Sequence, residues 1–197
     1  MRPRIILAST SPRRQELLRQ IGIKFEVVPS SVSEDFDPKL SPREIVRTLA
    51  ERKCAAVAAQ YPEAFVIAAD TIVTLEGEIL GKPESPERAI QMLERLSHRT
   101  HQVITGLAFE WKNKNIRETL DVTTDVTFGA LSKELIEQYV QTGEPLDKAG
   151  AYGIQGMGSV LVQSIRGSYS NIVGLPVFEV ASVLRHHLGN DIFFNTP

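Results

Sequence analysis

The sequence predicts an α/β fold, of the mixed α+β kind, in which helices flank a mixed β-sheet. Short apolar runs alternate with helical patterns along the chain, beginning with a strand over residues 4–8 and a helix over residues 12–21. Residues 64–73 are almost continuously apolar, which is typical of a central strand covered on both faces. Two long strands with a polar turn between them fill residues 101–129. Elements in this order pack as a sheet with helices on its faces.

The first half of the chain has two clearly marked helix starts. Ser11 and Ser41 are each suited to cap a helix, and each precedes a proline, which is well tolerated at the first helical position. Glu44 completes a capping box with Ser41, so we expect the second helix to run from residue 42 to about residue 60. Between the helices the pattern predicts a strand over residues 24–28 and an acidic loop over residues 29–41.

The second half of the chain follows the central strand with a hairpin. Glu76 and Gly77 form a turn signal, after which residues 79–83 are expected to return along the strand. The remaining predicted elements are a helix from residue 86, the two long strands with a turn at residues 112–115, a helix after Ser132, a strand over residues 160–162 and a helix over residues 176–187.

The composition excludes several classes of protein. The 197 residues carry 22 basic and 24 acidic side chains, a balance that argues against a general nucleic-acid or membrane-surface binder. Cys54 is the single cysteine, so the chain forms no internal disulfide and no cysteine-rich zinc site. The apolar stretch near the start is too short for a signal peptide or a membrane span. We therefore expect a cytoplasmic protein.

Two arginines stand at the start of the first helix, where a cation is least favoured. Arg13 and Arg14 follow Ser11 and Pro12 and lie in the first turn, next to unpaired N–H groups and the positive end of the helix dipole. A strand, a hydroxyl-rich turn and a helix start form an anion site, and guanidinium groups suit it to phosphate. The alternative, that both arginines point to solvent, is equally compatible with the sequence.

Asp70 interrupts the apolar run of the central strand. A carboxylate in such a place needs a cation, a metal ion or several donors to offset its loss of hydration. Lys53 lies on the inward stripe of the second predicted helix and is a candidate for that cation. Alternatively, Asp70 serves a purely structural ion pair, and Lys53 extends outward to solvent.

The charged residues at the ends of these elements suggest one kind of chemistry. Glu34 lies in a loop after a strand, and Lys82 closes the predicted hairpin arm. Two carboxylates, two lysines and an arginine pair are what metal-assisted phosphoryl or nucleotidyl transfer requires, with Mg²⁺ or Mn²⁺ held by oxygen ligands. An acidic loop that is merely solvated is the other interpretation of Glu34.

Several familiar site motifs are absent from the sequence. There is no Walker phosphate loop and no nucleophile elbow, and the four histidines lack metal-ligand spacing. The glycines within residues 150–158 precede a predicted strand and so do not form a dinucleotide fingerprint. They indicate either close approach of the backbone to a ligand or an irregular surface loop.

Taken together, four ordered blocks resemble the Maf family, and within it the branch of dTTP/UTP pyrophosphatases linked historically to septum formation. The resemblance runs from about residue 4 to residue 188. The blocks are Leu7-Ala8-Ser9-x-Ser11-Pro12-Arg13-Arg14, Ala69-Asp70-Thr71, Leu80-Gly81-Lys82-Pro83 and Asp147-Lys148-Ala149-Gly150-Ala151-Tyr152-Gly153-Ile154-Gln155-Gly156.

The resemblance implies a metal-dependent hydrolase that cleaves nucleoside triphosphates between the α and β phosphates. It implies an elongated mixed sheet around a deep cleft, similar to inosine triphosphatases. We accordingly expect one domain over residues 1–197, with two lobes around the cleft and a short tail over residues 190–197. A small-molecule nucleoside triphosphate is the expected partner, with no nucleic acid and no membrane, and family members often form homodimers.

The resemblance also assigns roles to individual residues. Asp70 and Glu34 match the catalytic and metal-binding acids, and Asp70 matches the proton acceptor. The positions that match the family's phosphate-binding residues are Ser9, Arg13, Lys53 and Lys82. The positions that match the residues for pyrimidine preference are Arg13, Thr71 and Gln155.

Two other functions remain open at this point. One is a nucleotide-binding regulator of cell division whose turnover is incidental. The other is the sister branch that acts on 7-methyl-GTP, against which the specificity residues Arg13, Thr71 and Gln155 argue.

Overall fold

The computed structural model describes residues 3–193, which contain seven strands and six α-helices. The strands are β1 Ile5–Leu7, β2 Glu26–Val27, β3 Phe65–Leu75, β4 Glu78–Leu80, β5 Thr100–Trp111, β6 Ile116–Phe128 and β7 Val162–Arg166. The helices are α1 Pro12–Gln20, α2 Pro42–Gln60, α3 Pro86–Leu96, α4 Lys133–Gln141, α5 Tyr169–Val173 and α6 Val177–Leu188.

The strands form one mixed sheet, in the order β2-β1-β3-β5-β6-β7, with β4 paired to β3. β1 runs parallel to both of its neighbours, so that Ile6 lies opposite Glu26 on one side and Val66 on the other. β4 and β7 run antiparallel to their partners β3 and β6. The predicted mixed sheet with helices in the same chain is therefore confirmed.

The chain divides into two compact units. Unit 1 comprises Met1–Thr71, Thr105–Val122 and Gly174–Pro197, and unit 2 comprises Ile72–Ile104 and Thr123–Val173. Strands β3, β5 and β6 each contribute residues to both units.

Helix α2 of unit 1 begins as the sequence predicts. The Ser41 side chain accepts from the Glu44 N–H and the Glu44 carboxylate accepts from the Ser41 N–H, which satisfies two of the unpaired donors at the helix start. Gly106 of β5 allows α2 to pack closely, because a Cβ at this position would lie 2.3 Å from the Val46 carbonyl oxygen. This close approach fixes the helix that carries Lys53.

Cys54 lies in the core of unit 1 with only 1% of its surface exposed. Its thiol donates to the Val66 carbonyl oxygen at 3.5 Å, and burial raises the pKa of the thiol. The group is therefore an inert packing element rather than a nucleophile.

The core of unit 2 contains an aromatic cluster. Phe128 and Tyr152 pack edge to face with ring centroids 4.8 Å apart, and His101 packs edge to face against both. The Nε2 atom of His101 lies 2.8 Å from the Tyr152 hydroxyl, and burial lowers the pKa of His101 to about 4. A neutral imidazole is thus part of this apolar core.

The predicted strand over residues 160–162 is wrong in its position. Met157–Leu161 forms a 3-10 helix, and the strand begins only at Val162. Gly129 donates its N–H to the Leu161 carbonyl oxygen, and the N–H of Gly158 is bound by a glutamate, so tertiary contacts hold the apolar run in a turn. A short apolar run in the sequence does not by itself distinguish a strand from a short helical turn.

Two further features lie near the end of the chain. The short helix α5 was not predicted from the sequence. Within the expected tail, Asn190–Ile192 forms a 3-10 helix and Ile192 is buried. Residues 194–197 of the tail lie outside the described residues. Between residues 3 and 193, no helix has both the length and the apolar character needed to cross a membrane.

Candidate active site

Asp70 is buried in the part of β3 that belongs to unit 1. It is 8% exposed, and the residues before it in the strand are fully buried and apolar. Its carboxylate therefore lies where hydration is largely lost, which makes a compensating partner necessary.

Lys53 supplies that partner from the buried face of α2. Its Nζ donates to Asp70 Oδ1 at 2.6 Å and to Glu34 Oε1 at 2.7 Å, and the lysine itself is only 9% exposed. Glu34 differs from the other two, because 72% of its side chain is exposed. The structure thus brings together three predicted site residues, and the alternative that Lys53 extends to solvent is wrong. We call Lys53, Glu34 and Asp70 the acid–lysine cluster.

The acid–lysine cluster has the donor set of a cation site. Two carboxylates contact one ammonium group, so the cluster formally carries one excess negative charge. Carboxylate oxygens are the ligands that Mg²⁺ and Mn²⁺ prefer. Because Glu34 is exposed, an incoming ion or substrate has access to the outer carboxylate.

Arg14 connects three segments of unit 1 through its guanidinium group. Nη1 donates to Ser9 Oγ at 3.2 Å and to the Ala69 carbonyl oxygen at 2.9 Å. Nη2 donates to Thr71 Oγ1 at 3.1 Å, and Nε donates to the Gly174 carbonyl oxygen at 2.8 Å. We call these contacts the Arg14 network. Burial lowers the pKa of Arg14, an effect that the charge of Asp70 partly offsets.

The two arginines at the start of α1 therefore behave differently. Arg14 points inward to the Arg14 network, whereas Arg13 is exposed. The interpretation in which both arginines point to solvent is wrong for Arg14. Ser11 caps the helix, and its Oγ accepts from the Arg14 N–H at 3.5 Å.

The predicted site residues fall into both units. Ser9, Arg13, Glu34, Lys53, Asp70 and Thr71 belong to unit 1, whereas Lys82 and Gln155 belong to unit 2. Lys82 is exposed just after β4 and lines a surface pocket of about 270 Å³. Gln155 is exposed in the glycine-rich segment.

Side chains of the protein itself pack against the glycine-rich segment within residues 150–158. Glu144 accepts hydrogen bonds from the Met157 and Gly158 N–H groups and from the Tyr139 hydroxyl. A Cβ at Gly156 would lie 2.4 Å from Glu144 Oε2, and one at Gly158 would lie 2.5 Å from the Tyr139 hydroxyl. These two glycines are therefore needed for packing against Tyr139 and Glu144, which the sequence interpretation did not include.

One group of three metal-ligand side chains occurs among residues 3–193, and it is separate from the acid–lysine cluster. Glu118, His186 and His187 have ligand atoms within 4.8 Å of one another. His187 Nε2 lies 2.5 Å from Glu118 Oε1, so this pair already forms an ion pair when the histidine is protonated. Sequence spacing did not reveal the group, because its acid and its histidines come from distant positions.

Sequence reasoning also missed the residues around Thr71. Thr105 is fully buried, and its Oγ1 lies 2.9 Å from Thr71 Oγ1. Gly174 has a positive φ of 115°, and a Cβ there would lie 3.6 Å from both Arg14 Nε and Thr71 Oγ1. A threonine in a buried strand is the one signal that could have indicated this contact.

Comparison with known proteins agrees with these observations. Residues 4–187 match the family described as Maf-like protein. A dTTP/UTP pyrophosphatase from Desulforamulus reducens is 50% identical over 185 residues, covering 94% of this chain and 96% of that protein. A dTTP/UTP pyrophosphatase from Bacillus velezensis is 49% identical over 185 residues, covering 94% of this chain and 97% of that protein.

Among solved structures, that of the Staphylococcus aureus Ham1 protein aligns with 64% of this chain and 71% of its own. The alignment has a TM-score of 0.42 and 20% sequence identity. The family match spans most of the residues that build both units. The chain belongs to the Maf family.

Proposed function

We propose that this protein hydrolyses dTTP and UTP to the monophosphate and pyrophosphate. The observation that carries the proposal is the acid–lysine cluster, a buried aspartate held by a lysine that also contacts an exposed acid. It occurs in a chain about half identical, over nearly its full length, to proteins named dTTP/UTP pyrophosphatases. Modified pyrimidine triphosphates are further candidate substrates.

In the proposed reaction, a water oxygen forms a bond to the α phosphorus while the bond to the bridging oxygen breaks. Asp70 accepts the proton of the attacking water, and pyrophosphate leaves. The Asp70 carboxylate suits this role because the hydrogen bond from Lys53 and its burial in β3 hold it in one orientation. Glu34 shares the same ammonium group and is the second acid of the reaction.

The phosphate groups require cations and hydroxyl donors. Ser9, Arg13, Lys53 and Lys82 are the residues that we assign to this task. Arg13 lies in the first turn of α1 and Ser9 shortly before its cap, where the N–H groups of the first turn also favour an anion. Charge develops on the phosphate oxygens in the transition state, so these donors contribute more there than in the bound substrate.

Base preference is assigned to Arg13, Thr71 and Gln155. Gln155 offers both a donor and an acceptor, which fits the carbonyl and N–H edge shared by uracil and thymine. A purine would need a larger pocket. The sister activity on 7-methyl-GTP is thus disfavoured by the same residues.

A divalent metal ion fits the oxygen donors of Glu34 and Asp70. Both carboxylates contact the same Lys53 nitrogen, at 2.7 Å and 2.6 Å, so an ion that binds them shares their oxygens with that ammonium group or displaces it. We assign these two residues to the metal. When bound there, Mg²⁺ or Mn²⁺ would neutralise charge on the phosphate oxygens. A cytoplasmic location, a single domain with a central cleft and a homodimer stay predictions.

A turnover screen tests the proposed function. The protein is incubated with canonical and modified nucleoside triphosphates and Mg²⁺ or Mn²⁺, and the products are separated by ion-exchange chromatography. We expect UMP or dTMP together with pyrophosphate. Diphosphate and orthophosphate as products would contradict the cleavage site. Measurable binding without turnover of any triphosphate would favour the regulator of cell division instead.

A further inference from the structure

We propose that Arg14 is a positioning residue that makes the Thr71 hydroxyl a hydrogen-bond donor, and that Arg14 thereby favours bases with a carbonyl group over bases with an amino group. The inference rests on the proposed function, in which Thr71 contributes to pyrimidine preference. It concerns Arg14 rather than the neighbouring Arg13, to which the resemblance assigns that preference.

The Arg14 side chain contacts the two residues that flank Asp70 in the chain. The guanidinium binds the carbonyl oxygen of Ala69 and the side-chain oxygen of Thr71, which precede and follow Asp70. Its two other bonds go to Ser9 and to the Gly174 carbonyl oxygen. All four acceptors are neutral oxygens, so the group holds the segment around Asp70 without forming an ion pair through these contacts.

The direction of the hydrogen bonds follows from the chemistry of the guanidinium group. Arginine only donates, so Thr71 Oγ1 must accept from Arg14 Nη2. Thr105 Oγ1 lies 2.9 Å from Thr71 Oγ1, and when Thr105 donates, the second acceptor site of Thr71 is occupied as well. Thr71 then has only its proton to offer to a third partner.

When Thr105 donates to Thr71, it does not compete for that proton, and the Gly174 carbonyl oxygen competes only weakly. The Gly174 carbonyl oxygen is 3.5 Å from Thr71 Oγ1, and the same oxygen already accepts from Arg14 Nε at 2.8 Å. A substrate carbonyl is a better acceptor at an ordinary hydrogen-bond distance. The O4 atom of uracil or thymine meets this requirement, whereas the 4-amino group of cytosine does not.

The test compares UTP with CTP, which differ at position 4 of the pyrimidine and its adjoining nitrogen. The readout is kcat/KM for UTP divided by kcat/KM for CTP. The fraction of folded enzyme cancels in this ratio. Arg14→Lys keeps the positive charge but removes the planar guanidinium group, whose three nitrogens bind four acceptors. We expect the ratio to fall about tenfold or more, since a buried polar group mispaired with substrate is costly.

A matched control comes from the same helix. Arg19 is exposed near the end of α1 and pairs with Gln15 and Glu16. Arg19→Lys should leave the ratio unchanged. An unchanged ratio in Arg14→Lys, with active wild-type protein, would overturn this inference and leave the proposed function intact. A wild-type protein that fails to hydrolyse UTP would overturn both.

A double-mutant cycle tests whether Arg14 acts through Thr71. Thr71→Val removes the hydroxyl, and adding Arg14→Lys to it should change the ratio little further. Equal effects of Arg14→Lys with and without Thr71 would contradict the inference. Thr105→Val serves if Arg14→Lys does not fold: it frees an acceptor site on Thr71, so the ratio should again fall. A retained ratio in Thr105→Val would count against the inference.

Discussion

The two units each hold a partly or fully buried carboxylate, but they compensate it in opposite ways. Asp70 of unit 1 contacts the charged Nζ of Lys53, which it shares with the exposed Glu34. Glu144 of unit 2 accepts from the N–H groups of Met157 and Gly158 and from a tyrosine hydroxyl. The carboxylate of Asp70 is hydrogen-bonded by a cation, whereas that of Glu144 is hydrogen-bonded by neutral donors, and the charge of Lys148 adds a smaller contribution.

The difference indicates what each acid does. Burial alone raises the pKa of Glu144, but the hydrogen bonds from Gly158, Met157 and Tyr139 lower it overall, so the acid is fixed as a local anchor of the glycine-rich segment. In Asp70, the Oδ1 atom accepts from the Lys53 side chain. A ligand could displace this lysine or share the carboxylate with it. Glu144 therefore organises the local chain, whereas the proposed function assigns Asp70 to the reaction.

The largest expected effect comes from the acid of unit 1. Asp70→Asn keeps an oxygen acceptor for Lys53 but removes the carboxylate to which we assign proton acceptance and metal binding. We expect kcat/KM for UTP to fall by about three orders of magnitude or more, while the thermal unfolding midpoint changes by only a few degrees. Pyrophosphate release and circular dichroism measure the two effects. Activity within tenfold of wild type would remove Asp70 from the mechanism.

The matching change in unit 2 should affect stability instead. Glu144→Gln places an amide NH₂ beside backbone N–H groups, so at least one acceptor is lost to Met157 or Gly158. We expect a loss of about 2 kcal/mol in the free energy of unfolding, measured by urea denaturation. The kcat/KM of the folded protein should stay within about threefold. A large loss of kcat/KM at unchanged stability would contradict the structural role that we assign to Glu144.

A third buried polar group sharpens the comparison, because it has no charge to compensate. The pKa of His101 falls to about 4 in the folded protein, against 6.5 for an ordinary histidine. Between these values the unfolded chain takes up a proton that the folded protein does not, so stability falls as pH falls. The loss is about 1.4 kcal/mol for each pH unit below 6.5, and it ends near pH 4.

Urea denaturation at pH 7.5 and pH 5.5 measures this smaller effect. His101→Gln cannot titrate and should flatten the pH dependence of the unfolding free energy. His98→Asn is the matched control, since His98 is exposed with φ of 56°, a conformation that asparagine tolerates. If His101→Gln kept the full wild-type pH dependence, another group would be responsible for it.

The parts of the fold that sequence predicts well are those set by local chemistry. The capping box at Ser41 and the apolar run of β3 gave helix α2 and the central strand nearly to the residue, because caps and continuous burial act within one element. The strand placed at residues 160–162 failed because contacts with other parts of the chain hold Met157–Leu161 as a 3-10 helix. Glu144 accepts from the N–H groups of Met157 and Gly158, and the Leu161 carbonyl oxygen accepts from the Gly129 N–H.

The candidate site shows the same division. Lys53 on the buried stripe and Asp70 in an apolar strand are recognisable from pattern alone, since each needs the other to offset its loss of hydration. That Arg14 turns inward and Arg13 outward depends on a carbonyl group at Gly174, which is 160 positions away. The contact between Glu34 and Lys53 could not be predicted from the sequence, because tertiary contacts set the conformation of the acidic loop that carries Glu34.

The position of Cys54 has a practical consequence for spectroscopy. It is the single thiol of the chain, it is 1% exposed, and burial raises its pKa, so maleimide reagents at neutral pH should leave the native protein unmodified. A cysteine introduced at the exposed Phe178 or Val160 would then be the sole reactive position. Fluorophores or spin labels can be attached to either unit without first removing a native residue from the core.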